Sequence, residues 1–482
     1  MWCFYDRLFI GGEWARPASR NTIRVTSATT EEVIGVVPEG NETDADAAVA
    51  AARRAFDDPT GWATWTSEAR ADALLRLASV LDRYSGITAV RVSSQNGMPL
   101  RTSRQTEAIM PATLLRYYAG LTRDAPLEER RPSQAGGTTA VRKEPLGVVA
   151  AIVPWNFPQT LTFFKLAPAL AAGCTVVVKP SSETVLDAFL LADAVAEAGL
   201  PAGVVNIVTG GGRTVGTHLI HHPGIDKVAF TGSTEAGRTI AEQCGRLLKP
   251  VTLELGGKSA GILLDDVDLA RSMRQMFAST LLNNGQTCFI STRILAPETR
   301  YDEIVDAFTA MAASLRVGDA LDVETQIGPV ATAHQRKSIE DYIARGKSEG
   351  ARITTGGRRP ADLERGWFIE PTIFADVDND AVIAREEIFG PVLTVIRYRD
   401  EDEAVRIAND STYGLGGTVW TADAEHGLAV ARRIQAGAVG VNGFTLDHGA
   451  PFGGVKSSGL GRELGPEGLR PYQQLKSVYL PA

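Results

Sequence analysis

Cysteine is scarce in this chain of 482 residues, which contains four: Cys3, Cys174, Cys244 and Cys288. No two of them stand at the short spacing of a metal-binding pair. So few thiols in so long a chain do not resemble the disulfide framework of a small secreted protein. We therefore expect free thiols, a reducing compartment and a cytoplasmic protein.

The sequence also lacks a leader, a membrane span and an excess of positive charge. Residues 1–7 show no basic region followed by a long apolar run, so we expect no signal peptide. The most apolar stretch, 148–178, is interrupted by Pro154, Asn156 and Lys165, which a lipid-spanning helix tolerates poorly. The net charge of −8 leaves no basic face overall and argues against nucleic acid and membranes as partners.

A GxGxxG fingerprint is missing after the first strand of the strand–helix alternation that begins at Gly147. Such alternation predicts parallel sheets with helices on both faces, and a second alternating region runs from 261 to about 442. The length predicts two or three domains. The predicted strands are 148–153, 175–179, 204–207, 227–230, 252–255, 291–296, 392–398, 416–420 and 438–442. The predicted helices are 44–58 (capped by Thr43 or Asp44), 67–84, 104–119, 185–198, 214–221 and 235–247.

Three residues offer the groups that acyl transfer needs. Cys288 supplies a thiol in Gly285-Gln286-Thr287-Cys288, Glu254 a carboxylate before Gly256-Gly257, and Asn156 an amide between two prolines. A nucleophile, a general base and an oxyanion donor require these chemical types. Each residue alone has an ordinary explanation: an inert buried thiol, a strand-end carboxylate and turn chemistry.

Together and in this order, the three motifs resemble the aldehyde dehydrogenase superfamily, from about Phe9 to the C-terminus. The resemblance implies an NAD(P)-dependent, hydrolytic enzyme with two parallel-sheet α/β domains and a small β bridging domain, assembled as a homodimer or homotetramer. It implies a dinucleotide-binding domain at 1–123 and 144–256, a catalytic domain at 257–455, and bridging segments at 124–143 and 456–482.

The resemblance also assigns catalytic roles. Cys288 attacks the aldehyde, Asn156 and the Cys288 N–H bind the oxyanion, and Glu254 activates the water that hydrolyses the thioester. Backbone amides or the nicotinamide ring should lower the pKa of the Cys288 thiol. Relatives that transfer the acyl group to coenzyme A tend not to use this glutamate. Lys165 and Glu463 match a proton relay proposed in the family, and a structural ion pair is the alternative.

The expected cofactor is NAD, with NADP possible. Phe230–Gly237 runs from a strand into a helix, whose N-terminus favours phosphate, and matches the family's pyrophosphate segment. Lys179 should bind the adenosine ribose and Glu387 the nicotinamide ribose. Ser182 stands where NAD-preferring relatives often carry glutamate, and the acid is displaced to Glu183. The expected cofactor residues are Ile152, Trp155, Lys179, Ser182, Gly212, Gly216, Phe230, Gly232, Ser233, Leu255, Gly256, Glu387 and Phe389.

Positions that line the family's aldehyde tunnel are mostly apolar here, although core packing competes for such residues. Without a cation for a carboxylate, the tunnel disfavours succinic semialdehyde and favours aliphatic, aromatic or terpenoid aldehydes. Asp447 and His448 could polarise its mouth. The predicted tunnel residues are Leu161, Phe164, Phe289, Phe444, Leu446 and Phe452.

Two alternatives to a dehydrogenase, and one alternative site, follow from the same residues. Cys288 could serve a thiol acyl-transferase or esterase without redox chemistry, or the fold could be a non-catalytic structural protein. His218 and His222, four positions apart, suggest a metal site. Because no cysteine or acid lies close in sequence and Pro223 ends the helix, we expect a solvated helix end and no metal.

Overall fold

A computed structural model describes residues 2–134 and 136–481. The strands are β1 (Cys3–Phe4), β2 (Leu8–Ile10), β3 (Glu13–Ala15), β4 (Thr22–Thr26), β5 (Val33–Pro38), β6 (Glu128–Pro132), β7 (Thr138–Pro145), β8 (Val148–Ile152), β9 (Thr175–Lys179), β10 (Val205–Ile207), β11 (Lys227–Thr231), β12 (Val251–Glu254), β13 (Ser259–Leu263), β14 (Ser291–Pro297), β15 (Arg352–Thr355), β16 (Thr372–Ala375), β17 (Val392–Tyr398), β18 (Gly417–Trp420), β19 (Gly440–Val441), β20 (Gly459–Leu460) and β21 (Gln473–Leu480). The helices are α1 (Glu42–Asp57), α2 (Ser67–Asn96), α3 (Leu100–Gln105), α4 (Met110–Asp124), α5 (Pro158–Ala172), α6 (Leu186–Glu197), α7 (Thr217–His221), α8 (Thr234–Leu247), α9 (Leu269–Thr280), α10 (Tyr301–Ser314), α11 (Ala333–Ser348), α12 (Val382–Arg385), α13 (Glu401–Asn409), α14 (Ala424–Ala431) and α15 (Gly465–Leu469).

An eight-stranded sheet forms the first α/β unit, in the order β20-β12-β11-β8-β9-β10-β2-β3. Its central strands β12, β11, β8, β9 and β10 are parallel. Every residue of β8, β9 and β11 is buried, because helices cover both faces and continuous apolar runs satisfy both sides. The chain runs from β8 outward through β9 and β10, then crosses to β11 on the other side of β8. This reversal creates a switch point between β8 and β11, where open α/β sheets bind ligands.

A seven-stranded sheet forms the second unit, in the order β15-β16-β17-β14-β13-β18-β19. All its pairings are parallel except that of the edge strand β15 with β16. The predicted strands in both units are confirmed with end shifts of a few residues. The largest difference is β19, which keeps only Gly440 and Val441 of the predicted 438–442.

A small antiparallel sheet, β21-β7-β6, stands apart from both units. β21 pairs with β7 from Gln473↔Pro145 to Leu480↔Thr138. Leu475 and Tyr479 remain 71% and 77% exposed on it. The segment predicted as one bridging piece from 456 onward is split, because β20 pairs with β12 in the large sheet. The domain boundaries themselves stay a prediction.

Three helix expectations differ from the structure. α1 is capped by Asn41, not by Thr43 or Asp44; Asn41 and Asp44 bond each other's backbone N–H groups in a capping box. α2 continues beyond residue 84 to Asn96 and ends at Gly97 with φ of 78°. The predicted helix 104–119 is broken into α3 and α4, and α4 begins at Met110 with proline in its first turn. Within the described residues, no helix has both the length and the apolar composition to cross a membrane.

Candidate active site

A cleft of about 290 Å³ opens at the switch point, where β8 and β11 end. The segment after β8 supplies Trp155 and Asn156, and the segment after β11 supplies Gly232 and Ser233. Loops that enter the second sheet close the other side with Cys288 and Glu387. The lining residues are Pro154, Trp155, Asn156, Thr231, Gly232, Ser233, Leu255, Gly256, Cys288, Gln335, Ser338, Tyr342, Glu387, Ile388 and Phe389.

Cys288 is presented by a turn of three consecutive left-handed residues. Asn283, Asn284 and Gly285 have φ of 51°, 60° and 77°. Asparagine tolerates this region, and the two side-chain amides stabilise the turn by donating to the carbonyls of Asn156, Gly97 and Pro329. Glycine is needed at 285, because a Cβ there would lie 2.0 Å from the Gly390 carbonyl oxygen.

Asn156 is fixed from both ends of its residue. Its Nδ2 donates to the Gln286 carbonyl at 3.0 Å, two residues before Cys288. Its own carbonyl accepts from the side chains of Asn96 at 3.1 Å and Asn283 at 3.0 Å. Since an amide carries two N–H donors, one remains for a ligand beside the thiol.

Burial raises the pKa of the Cys288 thiol, and the carboxyl groups of Glu387 and Glu254 raise it further. The backbone amides of Cys288 and Phe289 act in the opposite direction but do not outweigh these effects. The expectation of a lowered pKa is therefore wrong for the protein groups taken alone. The backbone amides stabilise the thiolate too weakly, so the positive nicotinamide ring, the other source named above, has to add to them.

Glu254 lies at the end of β12, 3% exposed, and does not line the cleft. Neither of its carboxyl oxygens has a hydrogen-bond partner among the residues that the structure describes. Burial raises its pKa well above 4.5, Glu463 adds to the rise, and Lys165 and Arg462 oppose it. Gly453 passes so close that a Cβ there would lie 2.5 Å from Glu254 Oε1. The carboxyl group is thus enclosed and has free acceptor capacity.

Lys165 and Glu463 form a buried ion pair beneath the cleft. Lys165 Nζ donates to Glu463 Oε1 at 2.8 Å and to Thr231 Oγ1 at 2.6 Å. The side chains are 0% and 2% exposed. In the described part of the chain, Glu463 Oε2 has no hydrogen-bond partner. This geometry suits both alternatives stated above, a proton relay and a structural pair, so the role stays a prediction.

The nicotinamide end of the predicted cofactor site is built around Glu387 and two aromatic rings. Glu387 Oε1 accepts from the Gly257 N–H at 2.9 Å, and burial raises its pKa to about 7. A Cβ at Gly256 would lie 2.3 Å from Glu387 Oε2, so the cradle requires glycine. Trp155 and Phe389 meet edge to face with centroids 5.4 Å apart. A flat ring, a ribose and a dinucleotide backbone fit this arrangement.

The phosphate end is the N-terminus of α8. Ser233 caps it by accepting from the Ala236 N–H at 3.3 Å, and both Gly232 and Ser233 face the cleft. Free N–H groups and the helix dipole favour a pyrophosphate there. Ile152 and Phe230 are buried in the apolar core behind these segments.

The adenosine end lies outside the cleft, and its predicted residues are Lys179, Ser182, Gly212 and Gly216. Lys179 is 4% exposed, and its Nζ donates to the Pro180 carbonyl at 2.9 Å. A Cβ added at Gly216 would lie 3.6 Å from the Lys179 side chain, so the segments of the two residues are close together. Glu183 is exposed, and the Ser181 hydroxyl donates to it.

The predicted tunnel residues form one apolar cluster around Cys288. Phe289 stacks on Phe444 with centroids 4.6 Å apart and meets Phe452 edge to face at 6.0 Å. Phe164 meets Phe452 at 6.2 Å. Leu161 and Leu446 join the same cluster as Cys288. The structure brings all six residues together, although contact alone does not separate a tunnel from core packing.

Comparison with known proteins agrees with this geometry. A profile of the aldehyde dehydrogenase family matches residues 14–478. Geranial dehydrogenase of Castellaniella defragrans is 56% identical over 476 residues, 99% of each chain. The crystal structure of Mycobacterium tuberculosis aldehyde dehydrogenase complexed with NAD+ is 46% identical with a TM-score of 0.97, covering 100% of this chain and 99% of its own. That of a mutant Pseudomonas syringae aldehyde dehydrogenase C with NAD+ and octanal is 39% identical with a TM-score of 0.95, covering 99% and 97%.

The chain belongs to the aldehyde dehydrogenase family. The predicted family, fold class, enzyme class and cofactor are confirmed: this is an aldehyde dehydrogenase, and solved structures similar to it are NAD+ complexes. The roles of individual residues stay predictions.

Three cleft residues of this aldehyde dehydrogenase escaped the sequence analysis: Gln335, Ser338 and Tyr342, all on α11. Gln335 Nε2 donates to the carbonyls of Ile388 at 3.2 Å and Phe389 at 2.9 Å. These bonds hold Phe389 at φ of 56°, an uncommon value for a bulky side chain. An ordinary helix without a glycine-rich turn gives no local signal for such a role.

Asp46, His218 and His222 form, among the described residues, the one group of three potential metal ligands. The acid missing near the histidines in sequence comes from α1. His218 Nε2 lies 2.6 Å and His222 Nε2 3.3 Å from Asp46 Oδ1. The Gly224 N–H donates to His222 Nδ1 at 2.9 Å. This bond places the proton of neutral His222 on Nε2, 3.3 Å from Asp46 Oδ1, so that nitrogen has no lone pair for a metal. The trio links α1 to α7.

Proposed function

We propose that this aldehyde dehydrogenase oxidises an apolar aldehyde to its carboxylic acid through a thiohemiacetal and a thioester on Cys288, followed by hydrolysis. One observation supports this most strongly: the Asn156 amide bonds the Gln286 carbonyl at 3.0 Å, and both Asn156 and Cys288 line the cleft at the switch point. A direct hydrogen bond therefore joins the segment of the oxyanion donor to the turn that carries the nucleophile.

In the first step, Cys288 Sγ bonds to the aldehyde carbon, and the carbonyl oxygen becomes an oxyanion. The free N–H of Asn156 and the backbone N–H of Cys288 bind that oxygen. Removing one such donor typically slows a reaction by roughly a hundredfold to a thousandfold. The side chains of Asn96 and Asn283 bind the backbone carbonyl of Asn156, and so keep the donor in place before substrate arrives.

A bound NAD+ would supply the acceptor for the hydride of the thiohemiacetal carbon. Glu387 would hold its nicotinamide ribose, Trp155 and Phe389 would flank the ring, and the α8 N-terminus would bind the pyrophosphate.

In the last step, Glu254 accepts a proton from a water molecule. The oxygen of that water bonds to the thioester carbon, the C–S bond breaks, and Cys288 leaves as the thiolate. A raised pKa suits a general base that works near neutral pH, because it strengthens the base while leaving an ionised fraction. Lys165 and Glu463 lie close enough to influence Glu254 electrostatically, which supports a role in removing that proton.

The substrate class follows from the apolar cluster. Phe164, Phe289 and Phe452 meet within one set of ring contacts next to Cys288, and none of the six tunnel residues is a cation. The 56% identical relative is named for geranial, and a structural neighbour contains octanal. We therefore expect terpenoid and medium-chain aliphatic or aromatic aldehydes as substrates.

A Glu254→Gln variant tests the proposal. Mixed with NAD+ and geranial or octanal, it should release about one NADH per site in a burst and then turn over slowly, because hydride transfer precedes hydrolysis. Intact-mass measurement should show an acyl adduct on Cys288. A steady-state rate equal to that of the unmodified enzyme would remove Glu254 as the base.

Two controls complete the test. Cys288→Ala should give neither burst nor adduct, and succinic semialdehyde should be a poor substrate of the unmodified enzyme. Ester cleavage without any NADH formation would favour the thiol esterase instead.

A further inference from the structure

A line of buried polar side chains follows one face of the eight-stranded sheet behind the thiol. Lys227 and Thr231 alternate onto this face from β11, and Thr252 and Glu254 do so from β12. The register Ala229↔Thr252 and Thr231↔Glu254 places the two strands' polar groups side by side. Buried polar groups are costly unless they interact with each other, so their accumulation here requires an explanation.

Lys227 is the member of this line to which the proposed mechanism gives no role. It is 1% exposed, and its Nζ donates to Thr252 Oγ1 at 2.7 Å. The ammonium lies 5.2 Å from the centroid of the buried Tyr472 ring, a cation–π distance. Within residues 2–134 and 136–481, no carboxylate forms a direct ion pair with it.

The charges around Lys227 balance only as a group. Glu463 acts electrostatically on Lys227 and pairs directly with Lys165. Two buried lysines therefore accompany two buried carboxyl groups, Glu463 and Glu254. The titratable and charged groups that act on the cluster come from many elements. They are Lys165 from α5, Lys227 from β11, Cys244 from α8, Glu254 from β12, Arg462 and Glu463 after β20, Tyr118 from α4, Cys174 before β9, and Tyr472.

We propose that Lys227 is a positioning residue for thioester hydrolysis: its positive charge, held between Thr252 and Tyr472, allows Glu463 and Glu254 to be ionised together. This rests on the proposed function. Glu254 must be a carboxylate to accept the water proton. With Lys165 committed to Glu463, Arg462 acts on Glu254 and Lys227 acts on Glu463, so the charge of Lys227 reaches Glu254 through Glu463.

The side chain of Lys227 is charged at neutral pH, although burial makes its proton easier to lose. Burial lowers the pKa of Lys227 to about 8, and the negative groups around it oppose that fall. The lysine therefore remains charged at neutral pH. Its loss makes the cluster more negative, so the remaining carboxyl groups bind a proton more tightly.

The test is the pH profile of acyl-enzyme hydrolysis in Lys227→Met, measured as acid release after a single turnover with octanal. The acid limb should move to higher pH by roughly one unit, which slows hydrolysis about tenfold at a pH below the limb. The NADH burst and NAD+ affinity should not change, since Lys227 is remote from the cleft lining. A limb at the position of the unmodified enzyme would overturn the proposal.

Two further variants make the result specific. Lys249→Met removes a partly buried lysine that donates to the Ile220 and His222 carbonyls, and it should leave the profile unchanged. If Lys227→Met does not fold, Thr252→Val takes its place: it removes the hydrogen bond of the ammonium, favours its neutral form and should shift the limb the same way. An unshifted limb in Thr252→Val would then contradict the proposal.

Failure of the proposed function gives a different result. If the unmodified enzyme shows no acid limb that depends on Glu254, or if Glu254→Gln accumulates no acyl adduct, the hydrolytic role of Glu254 is lost whatever Lys227 does. A Glu254-dependent limb that Lys227→Met leaves in place removes only the role of Lys227.

Discussion

The two ends of the cofactor and substrate site differ in how firmly the protein holds them. At the thiol end, Asn156, Glu254 and Lys165 are 5%, 3% and 0% exposed, and backbone contacts fix the turn around them. At the adenosine end, Ser182 is half-buried and Glu183 is exposed. We therefore expect the thiol end to support one chemistry, and the predicted adenosine end to discriminate between cofactors through groups that also contact water.

The difference in burial sets the size of the effects expected from mutation. A buried polar group that loses its hydrogen-bond or ion-pair partner costs one to several kcal/mol of stability. The loss of a reacting atom cannot be made up by neighbouring groups. An exposed charge contributes about 1 kcal/mol or less. Changes at the thiol end should alter rates by orders of magnitude, and changes at the adenosine end by small factors.

Cys288→Ala should show the largest effect. The thiol forms the covalent bond while the cofactor contacts other segments, so oxidation should fall below about a hundredth of the unmodified rate with NAD+ affinity nearly intact. NADH formation at 340 nm and NAD+ titration by intrinsic fluorescence measure the two quantities. Residual turnover above that level would remove Cys288 as the nucleophile and end the contrast between the two ends.

A substitution on β21, the outer strand of the small sheet, tests whether an exposed residue can always be replaced with little effect. Leu475 is 71% exposed on β21, and an uncovered strand edge with apolar side chains is normally paired or covered. We propose that a second copy of the chain covers it in a dimer or tetramer. Leu475→Lys should weaken self-association roughly tenfold or more in sedimentation experiments.

Gln474→Lys, the exposed neighbour on the other face of β21, is the matched control and should associate normally. Deleting the tail from Pro471 is a less specific test, because it also removes the buried Tyr472, whose carbonyl accepts from Cys174. An unmodified enzyme that is fully active as a monomer would contradict the proposal.

Glu107 offers a buried group that the chemistry does not use. It lies in the break between α3 and α4, and its Oε2 accepts from the Gln159 N–H at 2.7 Å, in the first turn of α5. Burial raises its pKa from 4.5 to about 8. The folded protein thus keeps a proton that the unfolded chain loses, so this group lowers stability as pH rises from 4.5 to about 8.

Glu107→Gln removes that ionisation and keeps an acceptor for Gln159. Its melting temperature relative to the unmodified enzyme should therefore be higher at pH about 8.5 than at pH about 5.5, by about 2 °C. Scanning calorimetry at both pH values measures the difference. An equal offset at both would mean that Glu107 does not titrate in this range.

The sequence predicts those features whose geometry depends on neighbouring residues, and it misses those that depend on contacts between distant segments. Short motifs indicate Cys288 and Glu254, because the glycines beside them are required by contact: a Cβ at Gly257 would lie 2.3 Å from the Cys288 carbonyl oxygen. Asn156 is indicated by its place between Pro154 and Pro158. The central strands were found because burial on both faces demands continuous apolar runs. Where local sequence must satisfy tight geometry, the pattern is visible.

The missed features depend on contacts between distant segments. Gln335 reaches the cleft only because α11 packs beside the loop of Phe389, and Asp46 reaches His218 only because α1 lies against α7. The raised pKa of Cys288 is another case, since it comes chiefly from burial in the folded protein. None of these leaves a periodic or spaced signal in its own stretch of chain.

The smallest expected effect lies at the adenosine end, at Ser182. A carboxylate there would repel the 2′-phosphate of NADP, whereas serine can donate a hydrogen bond, so we propose that NAD is the working cofactor and that NADP is tolerated. Glu183 does not replace the missing acid in this structure, since it is exposed and its carboxylate accepts from the Ser181 hydroxyl. Ser182→Glu should therefore raise the Michaelis constant for NADP by about tenfold or less and change that for NAD little, because the site is partly solvated. The ratio of kcat/KM values for the two cofactors measures this, with Glu183→Gln as the control that should leave the ratio nearly unchanged. A ratio that Ser182→Glu does not alter would show that residue 182 does not face the 2′ group, and the discrimination would then have to come from Lys179, whose Nζ already donates to the Pro180 carbonyl at 2.9 Å.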